Sequence, residues 1–213
     1  MEIEGINIEW LGHATFKMNS DKIIYIDPYK IEEVSEADII LITHSHYDHC
    51  SPSDISKIIK KGTVLFITPD CQSKVSGFED AELKLVEPGN EYEVDGIKIE
   101  TIPAYNIKEE RLRFHPQEND WVGYIITVNG KRIYIAGDTD FIPEMKNLQN
   151  IDIALLPIGG TYTMDIVEAA EAANAIKPKT VIPMHYNKIE GTEANPEEFK
   201  QKIDTDIKVE ILG

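Results

Sequence analysis

Short runs of β-branched and apolar residues recur along the first two thirds of the chain and predict β-strands. Four of these runs cover residues 6–10, 22–26, 38–43 and 64–68. Asp95-Gly96 and Asn129-Gly130 each separate two further runs, and such pairs are typical of tight hairpin turns because both residues tolerate positive φ. Later strands are predicted over 151–156, 180–183 and 207–212.

Helices are predicted between these strands. Residues 51–54 (Ser-Pro-Ser-Asp) combine an N-cap, a proline at the first helical position and an early acidic residue, so a helix should run from there to about residue 61. A second helix is expected over 164–176, where apolar residues recur at helical spacing: Ile166, Ala169, Ala170, Ala173 and Ile176. Asn195-Pro196 opens a third. Hairpins mixed with strand–helix crossovers predict an α/β (α+β) fold of mixed sheets covered by helices.

One long connection interrupts this pattern. The segment 104–120 is polar, has no clear period and lies between two predicted strands. Connections of this length inside a compact domain are often functional. A chain of 213 residues fits one domain spanning 1–213.

Composition narrows the function classes. The formal net charge of −17 argues against a nucleic-acid partner, since phosphate backbones need a basic surface. Two cysteines, Cys50 and Cys71, do not form a disulfide framework. No apolar run is long enough for a membrane span, and the N-terminus lacks the features of a signal peptide. We expect a cytoplasmic protein that acts on a small molecule and does not contact a membrane. The sequence does not decide whether the chain forms a homo-oligomer.

Candidate chemistry concentrates after the strand predicted over 38–43. His44, His46, Asp48 and His49 lie within six residues. Alternate residues of an extended chain face the same way, so His44 and His46 should point together. Imidazoles and a carboxylate so close together favour a divalent-metal site over a packing role.

Further candidate ligands also follow apolar strands. Asp138 follows residues 133–137, His185 follows 181–184, and Asp27 follows 23–26. If these strands end at one rim of the sheets, their polar side chains converge there, which is the usual geometry of a site on a rigid scaffold.

These segments resemble the metallo-β-lactamase fold superfamily. The motifs that carry the resemblance are His44-Ser45-His46-Tyr47-Asp48-His49, Ala136-Gly137-Asp138-Thr139-Asp140 and Pro183-Met184-His185-Tyr186. Residues 11–16, 26–29 and 156–164 are similar to the branch that contains ascorbate-6-phosphate lactonase. The resemblance implies a four-layer αββα sandwich with metal ions at one edge of the paired sheets.

The resemblance also implies the roles of the site residues. One metal takes His44 and His46, the other takes Asp48, His49 and His185, and Asp138 bridges both. Catalysis is expected to depend on Asp48, Asp138 and His185. Two divalent ions are expected, and both are expected to be zinc, with manganese or iron as alternatives. A diiron oxygen-reductase site usually has glutamate where His46 stands, which counts against redox chemistry.

The third ligand of the first metal is left open. The family often has a histidine where this chain has Asn106, so His115, Asn106 or water completes that shell. His13 and Asp27 are expected to support the ligands or to contact substrate. Tyr105, Tyr162 and Tyr186 flank the motifs and are candidates for lining the pocket.

The expected activity is hydrolysis of an ester, lactone or phosphodiester bond in a small, anionic substrate by a metal-activated hydroxide. Arg111 and Arg113 in the loop 104–120 are expected to face that anion, with the loop closing over it. The alternative function is a non-catalytic metal-binding or regulatory domain of the same fold.

Overall fold

The computed structural model describes residues 1–32 and 35–213, and within them it contains two seven-stranded β-sheets. In the first sheet the strands lie side by side in chain order. They are β1 (Glu2–Ile3), β2 (Ile6–Gly12), β3 (Thr15–Asn19), β4 (Ile23–Ile26), β5 (Ile39–Leu41), β6 (Val64–Ile67) and β7 (Glu82–Leu85). Strands β1–β4 pair antiparallel and β4–β7 pair parallel.

The second sheet repeats this plan. Its strands are β8 (Glu91–Val94), β9 (Ile97–Pro103), β10 (Val122–Val128), β11 (Lys131–Ile135), β12 (Ile153–Pro157), β13 (Thr180–Met184) and β14 (Lys208–Val209). Strands β8–β11 are antiparallel, with the predicted hairpins at Asp95-Gly96 and Asn129-Gly130, and β11–β14 are parallel.

The helices are α1 (Pro52–Ile58), α2 (Gln72–Val75), α3 (Ile166–Ile176) and α4 (Pro196–Lys200), together with 3₁₀ helices at Pro69–Cys71, Gln117–Asn119 and Pro143–Asn147. The side chain of Asp165 caps α3 by accepting from the backbone N–H groups of Val167 and Glu168. Asn195 caps α4 in the same way at Glu197. Among the described residues, no helix combines the length and the apolar character needed to cross a bilayer.

Alternation along β5 shows how the layers stack. Ile39 and Leu41 join the core between the two sheets, whereas Ile40 and Ile42 pack with Ile55 of α1 on the opposite face. Successive strand residues face opposite sides, so a continuous apolar run is buried on both. Helices α3 and α4 pack next to the second sheet, and their apolar side chains are continuous with the core between the sheets. This arrangement of mixed sheets and covering helices confirms the predicted α/β sandwich.

Several element bounds differ from the sequence prediction. Helix α1 ends at Ile58 rather than near 61, because Ile59 is extended. The last strand is only Lys208–Val209, and β1, β3, β7 and α2 were not predicted. Strand β7 is at the edge of its sheet and half-exposed, so its sequence lacks a strong apolar pattern.

Candidate metal centre

The parallel strands deliver the candidate ligands to one edge of the sandwich. Asp27 follows β4, the segment 44–49 follows β5, Asp138 follows β11 and His185 follows β13. The two sheets are linked at this edge, where the Tyr124 hydroxyl donates to the Ile42 carbonyl over 2.7 Å. The carboxyl ends of these strands therefore meet, as the sequence predicted.

Two glycines permit this close approach. Gly137 has φ +67°, and a Cβ there would lie 3.1 Å from the Val122 carbonyl oxygen. A Cβ on Gly159 would lie 2.4 Å from the His185 carbonyl oxygen, closer than real contacts allow. The turn before Asp138 therefore requires glycine at 137, and the position of the His185 backbone requires glycine at 159.

Three imidazoles form the first cluster. His44, His46 and His115 each offer a ring nitrogen, and these nitrogens lie within 4.8 Å of one another. His44 Nε2 lies 3.0 Å from His46 Nδ1. His44 Nδ1 faces the Thr43 hydroxyl at 2.9 Å, and that hydroxyl donates to Asp27. His44 Nδ1 must then be the protonated nitrogen, which leaves Nε2 as a free ligand atom.

Four side chains form the second cluster: His13, Asp48, His49 and His185. His13 Nε2 lies 2.9 Å from Asp48 Oδ2, so His13 supports that carboxylate in the way expected from the sequence. His13 and His185 both adopt positive φ, at 53° and 55°, and the His185 N–H donates to the His13 carbonyl. Left-handed conformations at non-glycine residues cost energy and are concentrated at functional sites.

Asp138 lies between the two clusters. Its Oδ2 is 3.2 Å from His115 Nε2 and 3.9 Å from His44 Nε2 on one side. On the other side it is 3.0 Å from His185 Nε2 and 3.4 Å from His49 Nε2. The carboxylate is buried, and this position matches the bridging role that the motif implied.

Unpartnered buried atoms indicate whether ions fit here. Among the described residues, eight buried side-chain nitrogen or oxygen atoms have no hydrogen-bond partner, and six belong to the two clusters and Asp138. They are His13 Nδ1, His49 Nε2, His115 Nε2, Asp138 Oδ1 and both ring nitrogens of His185. Buried polar atoms are normally satisfied, so their concentration at one place fits a set of metal donors. Imidazole and carboxylate donors suit zinc, manganese or iron.

Burial and neighbouring charges set the protonation of the candidate ligands. Burial, reinforced by the neighbouring His49, holds the pKa of His44 well below its ordinary value, and burial lowers the pKa of His46 to about 4. Burial opposes the charge of Asp138, yet His185 and His49 hold its pKa well below the usual range. Burial would also lower the pKa of His49, but the carboxylates of Asp138 and Asp27 raise it well above normal. An ion at His49 must therefore displace a proton.

Asp27 fixes the orientation of His49. Its Oδ2 accepts from His49 Nδ1 over 2.7 Å and from the Thr43 hydroxyl over 2.7 Å, while its Oδ1 accepts from the Thr43 N–H. Protonation of His49 at Nδ1 directs Nε2 toward Asp138. This is the supporting role expected for Asp27.

His115 reaches the first cluster because Asn106 holds it. His115 Nδ1 donates to Asn106 Oδ1 over 2.8 Å, and the Asn106 amide donates to Asp140 and to the Tyr162 carbonyl. Asn106 thus contacts the His115 ring on the side opposite the proposed ion sites and does not face them. Of the alternatives left open by the sequence, the geometry favours His115 as the third donor.

The loop 104–120 is folded against the protein rather than open. Buried Asp140 accepts hydrogen bonds from the backbone of Ile107 and Lys108 and from the side chains of Asn106 and Arg111. Asp140 lies in the motif 136–140 but was not predicted to be a site residue. Its role depends on a partner loop about 30 residues away in the chain, which no local pattern indicates.

The expectation that Arg111 faces the substrate is wrong. Its side chain is only 7% exposed and pairs with Asp140 at 2.6 Å and Glu168 at 2.7 Å. Two carboxylates neutralise it within the fold. Arg113 is exposed and lies over the Phe114 ring, 4.7 Å from its centroid, and it is not part of the cavity wall beside Asp138.

Two of the three tyrosines also differ from expectation. The Tyr105 hydroxyl is directed at Glu144, and Tyr186 stacks on Trp10 with ring centroids 5.1 Å apart, so neither lines the cavity beside Asp138. Tyr162 does line it. Cys50 is buried and, in the described part of the chain, belongs to none of the potential ligand groups.

The cavity beside Asp138 has a volume of about 220 Å³. Its wall consists of His46, Tyr47, Asp48, Phe114, His115, Asp138, Tyr162, His185 and Ile189. Phe114, Tyr47 and Ile189 were not predicted from the sequence. Tyr47 lies within the motif 44–49, Phe114 precedes His115, and Ile189 is three residues past Tyr186. An apolar or aromatic residue in or near a motif is ordinarily part of the packing.

Comparison with known proteins supports the assignment of the fold. Residues 7–185 match the family model described as "Beta-lactamase superfamily domain". The chain is 37% identical over 210 residues to a UPF0173 metal-dependent hydrolase of Thermoplasma acidophilum, covering 93% of this chain and 91% of that protein. It is 36% identical over 225 residues to a UPF0173 metal-dependent hydrolase of Pyrococcus abyssi, covering 97% and 96%.

Solved structures agree. A Parabacteroides distasonis crystal structure matches with a TM-score of 0.87 at 34% identity, covering 99% of this chain and 96% of the other. Igni18, a novel metallo hydrolase from Ignicoccus hospitalis, matches with a TM-score of 0.80 at 29% identity, covering 97% and 94%. A relationship to ascorbate-6-phosphate lactonase in particular does not follow from these matches. The chain belongs to the metallo-β-lactamase superfamily and, within it, to the UPF0173 family of metal-dependent hydrolases.

Proposed function

We propose that this chain is a dinuclear metal-dependent hydrolase. The observation that carries the proposal is the position of Asp138, whose Oδ2 lies within 4 Å of ring nitrogens from both ligand clusters. A carboxylate between two sets of donors is suited to bridging a pair of ions, whereas a single structural ion would need only one closed set.

The proposed ligand assignment follows from the two clusters. His44, His46 and His115 would hold one ion, and Asp48, His49 and His185 would hold the other, with Asp138 facing both. Divalent ions bound there would activate water and polarise a carbonyl or phosphoryl group. His13 holds the Asp48 carboxylate and Asp27 holds the His49 ring, so both ligands are oriented before an ion arrives.

The reaction is hydrolysis of an ester, lactone or phosphodiester bond in a small molecule. The cavity that adjoins Asp138 gives a substrate access to the ion sites, and its side chains exclude bulk water from part of the reacting region. The described lining contains no serine or cysteine that could act as a nucleophile in its place.

The test is a metal titration joined to a turnover assay. The metal-free protein is reconstituted with zinc, manganese or iron, the bound ions are counted, and each form is assayed on lactone, ester and phosphodiester probes. Two ions per chain with turnover would support the proposal. Two ions without turnover on any probe would favour the non-catalytic alternative, and a stoichiometry of one would contradict the dinuclear assignment.

A further inference from the structure

The wall of the cavity beside Asp138 has no basic side chain. Among the described residues that line it, none is lysine or arginine, and apart from Tyr47 and Tyr162 the ionisable groups are histidines and aspartates of the proposed ion sites. A charged substituent held against Phe114, Tyr162 and Ile189, away from the ion sites, would lose hydration without gaining a counter-charge from a side chain. This part of the wall therefore favours an uncharged group.

Cations adjacent in sequence to the wall are engaged elsewhere. Arg111 is paired with Asp140 and Glu168, and Arg113 lies over the ring of Phe114. Lys188 precedes Ile189 but places its ammonium 5.4 Å from the centre of the Trp10 ring. None of these three side chains is part of the lining. The expectation of an anionic substrate rested on Arg111 and Arg113, so it loses its structural basis.

Aromatic side chains supply much of the wall. Phe114 and Tyr162 meet edge to face with ring centroids 4.9 Å apart. Tyr47 lies at the mouth, 62% exposed, with its ring 5.8 Å from that of Tyr29. Exposed aromatic faces and edges favour flat apolar groups, which they contact over a large area.

The volume limits the part of the substrate that the cavity encloses. At about 220 Å³, the cavity is smaller than the roughly 300–1,000 Å³ typical of sites for drug-sized ligands. The enclosed part is closer in size to a single ring fused to, or substituted by, the reacting group than to a nucleotide.

We infer that the substrate is a small, uncharged ester or lactone with a flat apolar group beside the scissile carbonyl. The inference rests on the proposed hydrolase function and narrows its substrate class. Hydrolysis adds one water across the acyl C–O bond, so that the carbonyl carbon gains a hydroxyl and the leaving oxygen takes a proton. The products are one carboxylic acid and one hydroxyl group, and no redox co-reactant is needed.

The test compares three probes on the metal-loaded enzyme. Dihydrocoumarin is a flat neutral lactone, a carboxylate-substituted dihydrocoumarin adds a small charged group, and di(nitrophenyl) phosphate presents an anionic scissile group. We expect kcat/KM for dihydrocoumarin to exceed that for its carboxylated analogue at least about tenfold.

A matched pair of variants tests whether the cavity wall causes the preference for dihydrocoumarin. Phe114→Ala should raise KM for dihydrocoumarin about tenfold and leave KM for the aliphatic δ-valerolactone nearly unchanged. Leu112→Ala changes an exposed apolar residue of the same loop that is absent from this wall, and it should alter neither value. Binding of unreactive coumarin, followed by ligand-observed NMR, should weaken in Phe114→Ala only.

The outcomes separate the two proposals. Preference for the neutral lactone, reduced by Phe114→Ala, supports the substrate class. Equal or better turnover of the carboxylated lactone or the phosphodiester overturns the class and leaves the hydrolase function intact. If no probe is turned over by protein that holds two ions, the hydrolase function fails, and the substrate class fails with it.

Discussion

His115 Nδ1 donates a hydrogen bond to Asn106 Oδ1 over 2.8 Å, and this bond directs His115 Nε2 at the Asp138 carboxylate. The amide orientation of Asn106 is unambiguous, because its NH₂ group faces two acceptors, Asp140 Oδ1 and the Tyr162 carbonyl. The tautomer of His115 is therefore set by a residue whose side chain is directed at His115, Asp140 and Tyr162 and does not face the proposed ion sites.

This relationship predicts the effect of Asn106→Ala. Without its acceptor, the His115 ring is free to rotate and change tautomer, so affinity for one of the two ions should fall about 10- to 100-fold. Competition with a chelator measures both affinities. His115→Ala is the reference: it should lose the same ion, and the other should stay. Full affinity for both ions in His115→Ala would remove that residue from the ligand set.

Asp138→Ala should weaken both ions and abolish turnover, since its carboxylate faces both clusters. The fold should persist, because the core between the sheets does not involve this side chain. Metal counting and circular dichroism check the two statements. Asp206→Ala, an exposed carboxylate far along the chain, is the control and should match the wild type. Retention of two ions and normal turnover in Asp138→Ala would exclude the bridge.

Arg111→Ala should lower the free energy of unfolding. Removal of Arg111 leaves buried Asp140 without its cation, whereas Glu168 keeps Lys108 at 2.7 Å, so the cost should be about 3 kcal/mol, the lower end for broken buried pairs. Exposed Arg113→Ala should change the free energy of unfolding by less than about 0.5 kcal/mol. Urea denaturation measures both. A larger loss in Arg113→Ala than in Arg111→Ala would contradict the structural role assigned to Arg111.

Gly159→Ala should displace His185. The new methyl group would lie 2.4 Å from the His185 carbonyl oxygen, so backbone must move, and destabilisation of about 1–3 kcal/mol is expected from overpacking. Affinity for the ion held by His185 should fall as well. Gly77→Ala meets no atom within 4 Å and is the matched control. The prediction fails if both variants unfold at the same temperature and bind both ions equally.

The sequence determined the architecture and most of the proposed ligand set. Continuous apolar runs such as β5 and β13 are buried on both faces, so composition alone marks them as central strands, and the histidines and aspartates at their ends stand out against an apolar background. The hairpin turns at Asp95-Gly96 and Asn129-Gly130 were equally evident, since positive φ is a local requirement. Half-exposed β7 was missed because it has no such pattern.

Tertiary structure alone decided what the loop 104–120 does. Its sequence contains a histidine, two asparagines and two arginines, and nothing local shows which of them turns inward. Asp140 and Glu168, about 30 and 57 residues away, bind Arg111 and leave His115 to reach the first cluster through Asn106. Burying a charge requires a partner, and only the folded chain brings that partner within reach.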